Sequence, residues 1–260
     1  MLRQRRLFLS ELLHEIFLSP DAPCKQDKRL NPTTLTVLLP IFNEINTLPE
    51  LLARIQNVAI DKEIIIVDDL STDGTREFLK SDAVSKQSNV RVLFHEKNLG
   101  KGAALRTAIP FATGEFCIVQ DGDLEYFPED YLLILEAFQN GGAEVVYGSR
   151  FMGELPKMRP ANRIVNWLLP AMVRTLYGFS LTDEATCYKA FKTKLLQSIP
   201  LTCERFEFCP EVTAKILKKG HRIVEVPIRY EARTMAAGKK IRWTDGVEAI
   251  WTLIKFRFKE

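Results

Sequence analysis

From Leu35 onward the chain alternates short β-branched apolar runs with stretches of helical apolar spacing. The runs are Leu35 to Leu39, Glu63 to Val67, Val90 to His95, Glu115 to Val119 and Glu144 to Tyr147, each too short for a typical helix and bounded by turn-forming residues. The stretches beginning at Thr47, Ser71 and Gly100 carry helical apolar spacing, and Ser71 or Asp73 is a suitable N-cap for the second. Such alternation predicts an α/β fold, a mostly parallel central sheet with helices on both faces. Ligands of such sheets gather at the carboxyl ends of the strands. Those ends hold the most polar short sequences in the chain: Pro40-Ile41-Phe42-Asn43-Glu44, Asp68-Asp69 and Gln120-Asp121-Gly122-Asp123. Three acidic sites are therefore expected on one edge of the sheet. The second half of the chain is less regular, and no internal repeat is present.

The pattern divides the chain into an N-terminal extension, residues 1–34, and one domain, residues 35–260. In the extension, Met1 to Leu18 reads as an amphipathic helix and the polar segment that follows as mobile. Glu11, His14 and Glu15 interrupt its apolar stretch, and no small-residue cleavage site follows, which argues against a secretory signal. No stretch reaches the roughly 18 to 20 uninterrupted apolar residues of a membrane-spanning helix. An apolar fraction of 46% supports a sizeable core, and a formal charge of +3 without a dense basic stripe argues against a dedicated nucleic-acid binder. The five cysteines are scattered and form no Cys-x-x-Cys pair, as expected of reduced thiols in a cytoplasmic protein.

Asp121-Gly122-Asp123 at a strand end supplies the carboxylate oxygens preferred by Mg2+ or Mn2+, ions that keep positions open for substrate phosphates. Gly122 lets the backbone approach a ligand closely, and Glu125 can reach the same ion. Alone, these letters mark ordinary turns as often as metal sites. Their company changes the reading: Leu38-Leu39-Pro40-Ile41-Phe42-Asn43-Glu44, Val67-Asp68-Asp69-Leu70-Ser71, Asn98-Leu99-Gly100-Lys101-Gly102, Asp121-Gly122-Asp123-Leu124-Glu125 and Gly148-Ser149-Arg150 follow in order. The series resembles the family-2 glycosyltransferases of the GT-A nucleotide-sugar fold, and within them the dolichyl- or polyprenyl-phosphate hexosyltransferases, the group that contains dolichyl-phosphate mannose synthase.

That resemblance implies an inverting, metal-dependent transferase that takes a hexose from a nucleotide-diphosphate sugar. It places Pro40, Phe42 and Glu44 along the nucleotide, Val67 and Asp69 at the base and ribose, and Asp121, Gly122 and Asp123 at the ribose and diphosphate. Asp123 and Glu125 fall on the metal. Phe42 stands where the family commonly has Tyr, and Glu125 where it often has Gln. Late in the chain, Arg233 and the Lys239-Lys240 pair match the family's Arg and Ser-Lys loop, cations that stabilise charge growing on the leaving diphosphate. Gly100-Lys101-Gly102 lacks the spacing of a phosphate loop. It reads as a tightly packed helix N-terminus, with contact between Lys101 and the donor as the alternative.

A phosphate acceptor is already an anion and needs no general base, whereas a hydroxyl acceptor normally does. Arg150 falls where the related enzymes place an Arg near the acceptor phosphate, and Arg163 and Arg174 follow in the next helical region. Asp183 either orients Arg150 or acts as a base, and Glu211 reads as a charge at a helix N-terminus. Ile164 to Tyr177 and Val247 to Phe258 combine apolar bodies with basic edges, which fits interfacial helices as well as core packing. The function expected is transfer to a polyprenyl phosphate on the cytoplasmic face of a membrane, with peripheral attachment there. Transfer to a saccharide or other hydroxyl acceptor is the first alternative, and a non-catalytic nucleotide-sugar sensor the second.

Overall fold

A computed structural model describes residues 35–153, 160–233 and 243–259. The predicted N-terminal extension and Lys239 and Lys240 lie outside the described residues. The first half of the sheet is the expected parallel array. Strand β1 (Leu35–Ile41) is almost wholly buried and pairs in parallel with β2 (Lys62–Asp68) on one side and β4 (Phe116–Val119) on the other, while β3 (Val90–Phe94) extends the sheet beyond β2. Strands buried on both faces need continuous apolar side chains, which Val37-Leu38-Leu39 and Ile64-Ile65-Ile66-Val67 supply. Pairing of β1 with β4 stops at Leu38 and Val119, and pairing with β2 continues to Ile41.

The less regular half completes the sheet in a way the apolar pattern does not reveal. Strands β5 (Val145–Ser149), β6 (Lys189–Lys192) and β7 (Ile223–Pro227) give the order β3-β2-β1-β4-β6-β5-β7, with β6 antiparallel to both neighbours. Strand β6 reads Lys-Ala-Phe-Lys, and its first lysine is fully buried. The Lys189 ammonium lies 3.6 Å from the centre of the Tyr147 ring and donates to the Glu184 carbonyl at 2.6 Å, partners that offset the cost of burying a charge. Because β6 runs backwards beside β4, it brings Cys187 and Tyr188 next to Gln120 and Asp121.

Helices α1 (Leu48–Asn57), α2 (Thr75–Lys80), α3 (Asp82–Ser85), α4 (Lys101–Ala108) and α5 (Tyr131–Gly141) connect the strands of the first half. The N-cap of α2 is Gly74 and not Ser71 or Asp73; Asp73 instead accepts the Thr75 N–H at 3.0 Å from inside the preceding turn. Further on come α6 (Pro160–Tyr177), α7 (Thr193–Gln197), α8 (Phe208–Lys218) and α9 (Trp243–Phe258). Glu211 stands in the first turn of α8, the helix N-terminal charge expected from sequence, and is fully buried. Its carboxylate accepts the N–H groups of Thr202 and Cys203 at 2.8 and 2.6 Å and so ties down the segment before the helix.

That segment is the floor on which α4 starts. A Cβ on Gly100 would stand 2.4 Å from the Glu204 carbonyl oxygen, and one on Gly102 2.9 Å from that of Arg205. Gly100 also has a φ of +92°, which disfavours any L side chain. Gly100→Ala is therefore expected to cost about 2 kcal/mol, roughly 4–8 °C in Tm, while Gly142→Ala costs about 1 kcal/mol, since Gly142 has φ +61° but open space around it. Thermal denaturation followed by circular dichroism checks this. Equal shifts for the two variants would contradict the packing argument.

Candidate active site

At the carboxyl ends of β1 and β2, two residues take left-handed backbone without being glycine, Asn43 at φ 51° and Leu70 at φ 63°. Such strain persists only where neighbours enforce it. Here the Ser71 hydroxyl accepts the Asn43 N–H at 2.9 Å, the Asn43 side chain accepts the Thr72 N–H at 2.7 Å, and the Thr75 hydroxyl accepts the Glu44 N–H at 3.0 Å. The two turns lock together and point Glu44 toward the end of β4. The Thr47 hydroxyl lies 2.9 Å from both Glu44 Oε2 and the Gly122 carbonyl oxygen. A Cβ on Gly122 would stand 2.5 Å from Ile41 Cδ1 and 3.2 Å from Glu44 Cγ, so the close approach this glycine permits is to β1 and Glu44.

The predicted convergence of acids is present, and a cation from the far end of the chain sits in it. Arg233 Nη1 lies 3.1 Å from Glu44 Oε2, and Nη2 2.9 Å from Asp123 Oδ2. The segment that carries Arg233 is seated by Glu125, which accepts the Tyr230 O–H at 2.6 Å and the Arg233 backbone N–H at 2.7 Å, while its carbonyl accepts the Glu231 N–H at 2.9 Å. On the opposite side Lys101, the first residue of α4, pairs with Asp121 at 2.5 Å. Burial opposes both of these charges. Their mutual attraction more than offsets it, raising the Lys101 pKa and lowering that of Asp121.

Asp123 behaves in the opposite way. Burial, then the charges of Asp121 and Glu125, push its pKa up to about 7 against the pull of Arg233. Among the described residues, the four carboxylates Glu44, Asp121, Asp123 and Glu125, when fully ionised, outnumber by two the cations paired with them, Lys101 and Arg233. That deficit and the oxygen donors fit a hard divalent cation. Among the described residues no three His, Cys, Asp or Glu side chains form a complete metal site, so an ion held here would depend on substrate oxygens as well. Both Glu125 oxygens are engaged, by the Tyr230 O–H and the Arg233 backbone N–H, and so are both Asp123 oxygens, by the Glu125 N–H at 3.1 Å and Arg233 Nη2 at 2.9 Å.

Among the other expected donor residues, Pro40 and Phe42 are half-buried beside this cluster. Val67 is fully buried, so its side chain serves the core. Asp69 is an anchor: one oxygen meets His95 Nδ1 and the Leu99 N–H, both at 2.8 Å, and the other accepts the Gly100 N–H at 2.7 Å. His95 in turn lies 3.0 Å from the Thr107 hydroxyl. Tyr230, Thr47 and His95 carry no local sequence signal, because each acts through partners that only the fold supplies.

On the acceptor side expected from sequence, Arg150 follows β5 and is clamped by Asp183 with two parallel bonds, Nε to Oδ2 at 2.7 Å and Nη2 to Oδ1 at 2.8 Å. The same carboxylate accepts the Arg150 backbone N–H at 3.0 Å. The guanidinium lies 5.1 Å from the Tyr230 ring centre. Next to this pair a cavity of about 670 Å3 opens between Phe151, Arg163, Trp167, Arg174, Leu181 and Thr182.

The seven-stranded, mostly parallel sheet with acids at the ends of β1 and β4 is that of the GT-A fold. Residues 36–199 match glycosyl transferase family 2, and the chain belongs to that family and is a glycosyltransferase. It is 28% identical over 210 residues to the undecaprenyl-phosphate mannosyltransferase of Micrococcus luteus, covering 78% of this chain and 85% of that protein. To the polyprenol monophosphomannose synthase of Mycolicibacterium smegmatis it is 27% identical over 226 residues, covering 81% and 82%. Among solved structures, glucosyl-3-phosphoglycerate synthase from Mycobacterium tuberculosis, crystallised with Mn2+, UDP and phosphoglyceric acid, shares the fold with a TM-score of 0.65 at 19% identity, covering 88% of this chain and 80% of that one.

The surplus charge has a measurable consequence without any ligand. The folded-state pKa of Asp123 lies above its unfolded value of 3.8, so the stability tied to its proton is fully present below that value and is lost as pH rises through about 7. In EDTA, Asp123→Asn is expected to melt above the wild type at pH 8, with the gap narrowing toward pH 5. A variant that melts below the wild type at pH 8 would contradict the charge count.

Proposed function

We propose that the enzyme moves a hexose from a nucleotide-diphosphate sugar to a polyprenyl phosphate in one inverting displacement at a membrane surface. The observation that carries this reading is the Arg150–Asp183 clamp. A hydroxyl acceptor needs a base, and Asp183 spends its oxygens on Arg150 while Glu184 is fully buried, 3.9 Å from Lys189. A phosphate monoester arrives ionised and needs only cations to hold it. Arg150, held rigid by Asp183, meets that need, and Arg163 and Arg174 supply further positive charge along a cavity that Trp167 and Leu181 make partly apolar.

On the donor side, Asp121 and Asp123 would orient the nucleotide and its diphosphate, with Asp123 as the principal protein ligand to Mg2+ or Mn2+. A bound divalent ion would neutralise the charge that develops on the departing diphosphate. Arg233, and the expected Lys239 and Lys240, would add positive charge to the same leaving group. The relatives named as undecaprenyl-phosphate and polyprenol transferases favour a lipid-phosphate acceptor, and the GDP-Man and Mn2+ complex of a Pyrobaculum calidifontis mannosyltransferase, similar in fold with a TM-score of 0.53, supports a nucleotide-sugar donor with a divalent ion.

Membrane attachment would come from one face. No described helix is long and apolar enough to cross a bilayer. Helices α6 and α9 pack together, with Gly246 against Val165, and leave Trp167 73% and Trp251 62% exposed, beside exposed Ile164 and Val247. Large apolar side chains exposed together, with Arg163, Arg174, Lys255 and Arg257 on the same helices, suit an anionic lipid interface.

Two tests follow. Incubation of the enzyme and Mn2+ with radiolabelled UDP- or GDP-hexoses and polyprenyl phosphate is expected to give a lipid-extractable, phosphate-linked sugar; transfer only to hydroxyl acceptors would overturn the acceptor assignment. In co-sedimentation, the double variant Trp167→Ala/Trp251→Ala is expected to lose at least about tenfold in affinity for vesicles containing anionic lipid. Unchanged sedimentation would remove this face from the account.

A further inference from the structure

Asp183, which forks the Arg150 guanidinium, lies between α6 and β6 in residues 178–188, which belong to neither helix nor strand. No regular ladder sets where that loop sits. Glu225, half-buried on β7 beside Tyr147 of β5, supplies the hold instead. Its two oxygens accept the Thr182 N–H at 3.0 and 2.8 Å, and one of them also accepts the Thr182 O–H at 2.9 Å and the Asp183 N–H at 3.0 Å. Beyond Asp183, the Glu184 carbonyl accepts from the Lys189 ammonium at 2.6 Å. The backbone that carries the Asp183 carboxylate is thus pinned before and after it.

The same glutamate sets the direction of a hydroxyl chain around Arg150. Thr182 gives its proton to Glu225, so in the 2.6 Å contact between the Thr182 and Ser149 hydroxyls Ser149 is the donor. Ser149 Oγ in turn accepts the Phe151 N–H at 3.2 Å. Both neighbours of Arg150, and the acid that takes its guanidinium and its backbone N–H, therefore lead back to one carboxylate on the adjacent strand.

We propose that Glu225 is a positioning residue for the acceptor anion, acting through Thr182 and Asp183 to hold the Arg150 guanidinium where a phosphate would arrive. Arg150 is only as firm as the Asp183 backbone, and a binding constellation loses its productive geometry beyond about 0.5 Å. A carboxylate suits the task because it only accepts: two successive backbone N–H groups and a hydroxyl all donate to it. An amide in its place keeps one accepting oxygen and turns a donor toward the Thr182 N–H.

This inference rests on the phosphate-acceptor reading of the Arg150 site, and one experiment separates the two. Transfer from radiolabelled UDP- or GDP-hexose to polyprenyl phosphate is measured in Mn2+ for the wild type, Glu225→Gln and Glu225→Ala, and KM is determined for acceptor and donor in turn. Circular dichroism verifies folding, and the Gln variant carries the test if the Ala variant does not fold. Glu225→Ala is expected to raise the acceptor KM about tenfold and Glu225→Gln about threefold, with the donor KM of each within about twofold of the wild type. A role in stability alone would move both KM values together or neither. An unchanged acceptor KM, or a donor KM that rises as far as the acceptor KM, overturns the positioning role and leaves the acceptor reading standing. If the wild type transfers hexose to hydroxyl acceptors only, the acceptor reading falls and this inference falls with it.

Discussion

Among the described residues, four carboxylates brought together at the ends of β1 and β4 outnumber the two cations paired with them, and much of the surrounding structure serves to hold them there despite their repulsion. Asn43 and Leu70 are strained to aim Glu44, Gly122 lacks a side chain so that β4 can approach Ile41 and Glu44, and Lys101 starts a helix whose first turn is pressed onto residues 203–205. Asp123 takes up the remaining imbalance as a raised pKa. A site that stores unfavourable charge gives up stability in exchange for affinity toward something positive, the usual relation between stability and function at a binding site.

The same cluster is tied to the acceptor side through Tyr230. Its ring lies under the Arg150 guanidinium and its hydroxyl donates to Glu125, which seats the backbone of Arg233. One side chain thus touches both the arginine proposed to receive the acceptor phosphate and the acid that positions the arginine proposed to face the donor. Asp183 keeps Arg150 in place from the opposite direction and is itself fixed by Glu225, which accepts the Asp183 N–H at 3.0 Å. If the proposed transfer to a phosphate acceptor holds, these cations, each held by a buried acid, would form a preorganised setting for it.

The first half of the fold was legible because β1, β2 and β4 are buried on both faces and must be continuously apolar, with polar residues only where they leave the sheet. That same rule exposed Glu44, Asp69, Asp121 and Asp123. Strand β6 escaped it because Lys189 is buried against a tyrosine ring, a tertiary arrangement that a short Lys-Ala-Phe-Lys sequence does not announce. Asp69 was legible as a residue near the site but not as the clamp for His95, Leu99 and Gly100, since those partners lie about thirty residues away. Glu125 was read as a metal ligand from its spacing; its ties to Tyr230 and Arg233 cross more than one hundred residues. The two parallel bonds between Asp183 and Arg150 are a side-chain arrangement that spacing alone does not carry.

A divalent cation together with a nucleoside diphosphate is proposed to complete this surplus of negative charge. Calorimetric titration of the wild type with UDP and with GDP, in EDTA and in Mn2+, tests it most directly. At least one nucleotide is expected to bind about tenfold or more tightly with Mn2+ than without it. Equal affinity in EDTA and Mn2+ for both nucleotides would contradict it.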